Sequence, residues 1–152
     1  MVPRSDERGS LSDLRSIAVS RYVHVSMREL TVEELVRALD ALGLPYECAC
    51  HNERLELAGS LECAGDLVDV RLAVDTLGSA FSFGFAADEG RFLRLVCSDV
   101  DRAFLERALV QPIWAAVAHE RVRIAAKTAE LDITTSVDGD GRTRLLLKPR
   151  SP

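Results

Sequence analysis
The groups in this chain whose spacing could do chemistry are a few thiols, an imidazole and one run of carboxylates. Cys48-Ala49-Cys50-His51, with Cys63 downstream, is its metal-like grouping. Thiolate and imidazole are ligands that zinc selects, and four of them close a tetrahedron. The single residue between Cys48 and Cys50 is short for a structural zinc site, where paired cysteines usually stand roughly two to four residues apart. On a strand both cysteines face one side, and free cysteine also packs well on a buried strand face. Cys97, behind Leu95 and Val96, reads as core. Asp138-Gly139-Asp140-Gly141 begins like a calcium loop but lacks the later ligand positions and the closing Glu. A hairpin turn uses the same residues. His24 and His119 have no acid and nucleophile patterned around them. No phosphate-binding glycine loop, nucleophile elbow or zinc-protease motif occurs. The residues therefore assign no catalytic group and no cofactor. A metal or thiol redox site at Cys48, Cys50, His51 and Cys63 stands as the alternative.

Composition narrows the class of protein. The chain has 152 residues, 47% hydrophobic and 28% charged, with a net charge of −5. That is the profile of an ordinary globular domain, and its acidity argues against nucleic acid as a partner. The start of the chain carries Asp6, Glu7 and Asp13 and no apolar core of a signal peptide. No run of about 18 apolar residues would cross a membrane. A cytoplasmic protein, with its cysteines as thiols, is the expectation. The charge is unevenly spread. Between Glu29 and Asp69 ten acids face only Arg37 and Arg54, and after Glu120 seven cations outnumber four acids. Two solvated faces explain this pattern. The sharper reading is an acidic patch that meets a basic partner, or self-association of one end with the other.

The elements that would position these groups follow from periodicity. Residues 1–15 are polar and aperiodic and read as a mobile tail, followed by one domain over 16–150. Alternation over Tyr22–Met27 predicts a strand. Thr31 caps a helix with Glu33 and Glu34 in its first turn, a buried stripe of Leu35, Val36, Leu39 and Leu42, and Gly43 at its end. Short strands are predicted at 46–50, 54–57, 67–74, 80–86 and 92–97, punctuated by Gly59, Gly65, Gly78 and Gly90. Phe81, Phe83 and Phe85 alternate and should share one face toward the helices. A helix from Ser98 or Asp99 is interrupted by Pro112, so two helices are predicted, over 99–110 and 112–129. Trp114, Ala118, Val122 and Ala125 form one stripe of the second, with Ile113, Val117 and Ile124 beside it. Leu131–Val137 and Thr143–Leu147 then form a hairpin. The predicted fold is α+β: an antiparallel twisted sheet of about six or seven strands, with helices packed on one face and a C-terminal helix plus β-hairpin.

This order of elements resembles the domain of unknown function 1257 family, typified by a hypothetical open reading frame of plastids and cyanobacteria. The likeness rests on Ser20-Arg21-Tyr22, on Gly65 with Asp69 and Val70, and on Phe83-Gly84-Phe85 followed by Gly90, Phe92 and Asp99. Gln111, Trp114 and Ala115 resemble a helical Gln-x-Tyr-Ala, and Val137-Asp138-Gly139 with Leu145 and Leu147 resembles a closing Glu-Asp-Gly hairpin. It spans residues 20–148. The family's tryptophans beside the acid are replaced by Val100-Asp101, and its opening histidine by Arg21. The resemblance implies no catalytic activity and an accessory role beside ATPases of the AAA type.

The functional expectation is a non-enzymatic adaptor that binds another protein and is open to homo-oligomerisation. Its partner-binding candidates are Glu33, Glu34, Arg37 and Asp40 on the first helix, and Arg121, Arg123 and Lys127 on the long one. A small-ligand pocket around Phe83, Phe85 and Trp114 is the remaining alternative.

Overall fold
The computed structural model describes residues 22–27, 29–50, 53–59, 65–88 and 93–151. The tail expected at 1–15, with Ser20, Arg21, His51, Cys63, Gly90 and Phe92, lies outside them. The elements are β1 (Tyr22–Met27), α1 (Val32–Ala41), β2 (Glu47–Cys48), β3 (Leu55–Glu56), β4 (Leu67–Val68), β5 (Val70–Leu72), β6 (Phe83–Ala87) and β7 (Leu93–Ser98). A long helix follows as α2 (Arg102–Leu105), a π-helical turn (Glu106–Val110) and α3 (Gln111–Thr128), and the strands β8 (Leu131–Val137) and β9 (Thr143–Pro149) close the order. The fold is α+β. Its strands fall into a five-stranded antiparallel sheet, ordered β1-β7-β6-β5-β2, and two separate ribbons, β3-β4 and β8-β9. One sheet of six or seven strands was the expectation; the ribbons peel away from it.

Asp69 is where the first ribbon departs. A regular strand over 67–74 would put Val68 and Val70 on one face. Instead the chain breaks between β4 and β5, and the two valines serve opposite cores. The Asp69 carboxylate accepts the Ala87 N–H at 2.7 Å and the Arg54 guanidinium at 2.9 Å, which holds the kink. Val70 joins Leu72, Phe83, Phe85, Leu95 and Cys97 under the helices, against Leu35, Leu39, Leu105, Leu109, Ile113 and Val117. Val68 packs on the reverse face with Leu57, Ala86 and Val96, beneath the β3-β4 ribbon. Gly84 is required there: a Cβ would lie 2.4 Å from the Val70 carbonyl oxygen.

Phe83 and Phe85 are completely buried toward the helices, as the alternation predicts. Phe81 is only half-buried, because the chain has not yet entered β6. Its N–H and that of Ala80 donate to the buried Asp101 carboxylate at 3.1 and 2.9 Å. That use of Asp101 also explains why the helix begins at Arg102 rather than at Ser98: Ser98 to Asp101 forms a turn, and Asp101 caps no helix N–H.

The two helices predicted around Pro112 are one continuous rod. Proline lacks an N–H, and its ring would strike the carbonyl four residues back. The turn before it is widened, with the Gln111 N–H bonded to the Glu106 carbonyl, so the rod passes the proline without breaking. The buried stripe runs through the residues beside Trp114 and not through the predicted stripe of Trp114, Ala118, Val122 and Ala125. Leu105, Leu109, Ile113 and Val117 are buried, whereas Ala118 and Ala125 are exposed and Trp114 half-buried. Four-residue steps overshoot an α-helical turn by about 40° each, and a widened turn absorbs part of that drift.

Each of Phe83→Ala and Phe85→Ala should cost about 3–5 kcal/mol in denaturant unfolding, and Phe81→Ala clearly less. Equal losses at all three positions would contradict this core.

Candidate functional groove
The charged residues singled out from the sequence converge on α1 and α3. Helix α1 starts at a capping box: the Glu34 N–H donates to Thr31 Oγ1 at 3.1 Å, and the Thr31 N–H donates back to Glu34 Oε2 at 3.2 Å. Its buried stripe is Leu35, Ala38 and Leu39, while Leu42 is exposed. Helix α3 lies beside it, and Arg121 reaches across. Arg121 Nε and Nη2 donate to the two oxygens of Glu34 at 2.8 and 3.0 Å, and Nη2 also donates to the Glu29 carbonyl at 2.7 Å. The guanidinium sits 6.0 Å from the centre of the Trp114 ring, within cation–π range.

This pairing decides the electrostatics. The Arg121 hydrogen bonds, opposed by desolvation, hold the Glu34 carboxyl down at about 2 against an ordinary 4.5. Glu34 in turn raises the Arg121 pKa. Farther along α3, Arg123 donates to both oxygens of Glu120 at 2.8 and 2.9 Å, which lowers the Glu120 pKa. Asp40 accepts the Tyr46 hydroxyl at 2.9 Å, and Arg37 Nε donates to the Glu33 carbonyl at 3.3 Å. Arg37 meets no carboxylate in an ion pair among the described residues.

Between the helices lies an open groove of about 340 Å³. Ala38, Ala41, Ala116, Val117 and Ile124 line it, and Glu34, Arg37, His119, Glu120 and Arg121 rim it. Three of the predicted partner-binding residues, Glu34, Arg37 and Arg121, are thus brought together. Glu33, Asp40, Arg123 and Lys127 do not line the groove. Sequence reasoning missed Glu120, His119 and the apolar floor. Its available signal was Ile124, which continues the Ile113–Val117 stripe beyond the core yet stays 47% exposed. None of the lining residues is a serine, threonine, cysteine or lysine. The groove offers apolar surface, carboxylates, guanidinium groups and the His119 imidazole.

The other candidates separate. Cys48 and Cys50 are exposed, and Cys97 is buried. Burial, then the neighbouring Cys50, raises the Cys48 pKa, and burial pushes Cys97 up to about 12. Among the described residues no three His, Cys, Asp or Glu side chains are grouped to hold a metal ion. Asp138 uses its carboxylate locally, accepting the Asp140 and Arg142 N–H groups at 3.0 and 2.9 Å, as a hairpin turn requires. His24 lies 3.8 Å from Asp66 on the surface. Phe83 and Phe85 are sealed in the core and present no side chain to a ligand. No helix among the described residues is long and apolar enough to cross a membrane. Comparison with protein-family models, curated proteins and solved structures finds no match to the chain.

Two outcomes check this site. In the native protein Cys97 should resist alkylation and Cys48 should react slowly near neutral pH, because both thiols are held protonated; mass spectrometry of alkylated peptides reads both. Glu34 has its folded pKa depressed, so its contribution is complete above about 4.5 and fades as pH falls toward about 2. Unfolding midpoints of wild type and Glu34→Gln should therefore converge as the solution is acidified across that window. A constant gap between them would show that the Arg121 contact does not set this carboxylate's charge.

Proposed function
We propose that this chain is a non-enzymatic adaptor that binds another protein through the α1–α3 groove. The observation that carries the reading is the apolar strip of exposed Ala41 and Ile124 with half-buried Ala116, rimmed by charges that are already fixed in place. Preorganised charges around an apolar floor suit a short amphipathic helix laid between two helices. Arg37, which lies within ion-pair distance of no carboxylate among the described residues although its charge acts on Glu120, would take an acidic residue of that helix. The family resemblance would make an AAA-type ATPase the first partner to try.

Glu34 also caps α1, so reversing it would disturb folding as well as binding. Ile124→Asp and Arg37→Glu are cleaner variants, because neither side chain is sealed in the core. Exposed substitutions usually change stability by within about 0.5 kcal/mol. A partner captured by the wild-type chain should be lost by Ile124→Asp and weakened by Arg37→Glu, with added salt weakening the wild-type complex too. Capture that survives both substitutions in folded protein would remove the groove from the interface.

A further inference from the structure
Beyond the groove, the β8-β9 ribbon has surfaces that the rest of the fold does not cover. Seven residue pairs run from Leu131↔Pro149 to Val137↔Thr143, and the ribbon pairs with no other strand among the described residues. A two-stranded ribbon is marginal in water by itself. One face carries Leu131, Ile133, Val137, Leu145 and Leu147. Its half-buried members are Leu131, Ile133 and Leu145, so this face turns toward the end of α3, where Ala126 is buried. Val137 remains 68% exposed and Leu147 44% exposed.

The two edges differ. Asp138 N–H bonds to the Arg142 carbonyl and Arg150 N–H to the Glu130 carbonyl, so even-numbered residues of β8 bond inward to β9. The N–H and C=O groups of Leu131, Ile133, Thr135 and Val137 therefore point out along the free edge of β8. On β9 the outward positions are Thr143, Leu145, Leu147 and Pro149, and the strand carries Arg144 and Lys148. Proline and cations are the usual means of blocking an edge. Edge β9 is blocked in this way. Edge β8 carries a single charge, Asp132, and is otherwise rich in β-branched residues.

We propose that a second copy of this chain pairs with the free edge of β8 across a twofold axis at Thr134, giving a four-stranded sheet ordered β9-β8-β8-β9. Antiparallel pairing with full overlap sets Leu131 opposite Val137, Asp132 opposite Ser136, Ile133 opposite Thr135 and Thr134 opposite itself. Outward groups then meet outward groups, for about eight backbone hydrogen bonds. The apolar faces join on one side, and Val137 of each copy comes to rest beside Leu131 and the end of α3 in the other. On the opposite side Asp132, which pairs with Arg150 of its own chain at 3.2 Å, stands between Lys148 of its own ribbon and Ser136 of the other, so no like charges stand directly opposite across the seam. The equivalent twofold through β9 would oppose Arg144 with Lys148, and Pro149 could not donate. Charge and register thus select β8, and they select a copy of the same edge as its complement.

Sedimentation of the full chain tests this. Wild type should have the mass of two 16.7 kDa chains. Thr135→Pro removes an N–H that bonds nothing within the ribbon, so the variant should keep its circular dichroism and sediment as one chain. In a background of Cys48→Ser, Cys50→Ser and Cys63→Ser, a Thr134→Cys chain should form a symmetric disulfide on mild oxidation. Opposed residues at such a position stand about 4.5 Å apart, within reach of a disulfide. A monomeric wild type at high concentration, a folded Thr135→Pro variant that stays dimeric, or a Thr134→Cys dimer whose introduced thiols do not cross-link would each overturn the proposal. None of these outcomes depends on the groove, because Ile124→Asp leaves the β8 edge unchanged.

Discussion

Helix α3 runs on to Thr128, well past Val117, its last residue in the main core, and the features outside that core follow from the overhang. Its 18 residues span about 27 Å. Ile113 and Val117 anchor the first half on the core, and Ile124 on the same side finds nothing beneath it. An overhanging helix must be held by something other than the sheet. Arg121 does this at the point where the core ends, tying the helix to Glu34 and to the Glu29 carbonyl at the start of α1. The bidentate pair is partly exposed, and such a pair is modest in energy on its own. Its effect is geometric: it fixes the spacing of α1 and α3, and so the width of the groove.

The sequence showed most of the elements, because each has a local signature. The Thr31-to-Glu34 capping box, the Phe83/Phe85 alternation and the hairpin at Asp138 are all readable within a few residues. The departures came where a distant group decided local geometry. The kink at Asp69 depends on Arg54 and on the Ala87 N–H, and nothing near Asp69 in sequence announces either. The delayed helix start depends on Asp101 turning back to Ala80 and Phe81. Pro112 signalled a perturbation correctly, but a break and a widened turn satisfy its chemistry equally. Packing of Leu109 and Ile113 on one core favours the continuous rod.

The candidate groove was half legible for a related reason. Acidic and basic runs are visible as composition, so Glu34, Arg37 and Arg121 could be named. Whether two such runs are separate faces or partners is a question of tertiary distance. Here one carboxylate of the acidic run, Glu34, pairs with one cation of the basic run, Arg121, on the rim of the groove, beside apolar surface and Arg37. The surface proposed for recognition is the apolar floor between the paired charges.

Groove and ribbon also occupy different sides of the same helix. Val117 faces the core and the groove, and Ala126, nine residues on, is buried beneath the ribbon. Nine residues are two and a half α-helical turns, about 180° apart around the axis. A partner lying in the groove would therefore not compete with a second chain pairing at β8. Two chains joined through their ribbons would carry two open grooves on rigid helices. Linking two sites in this way raises the effective concentration of the second one for a multivalent partner, with no new contact needed.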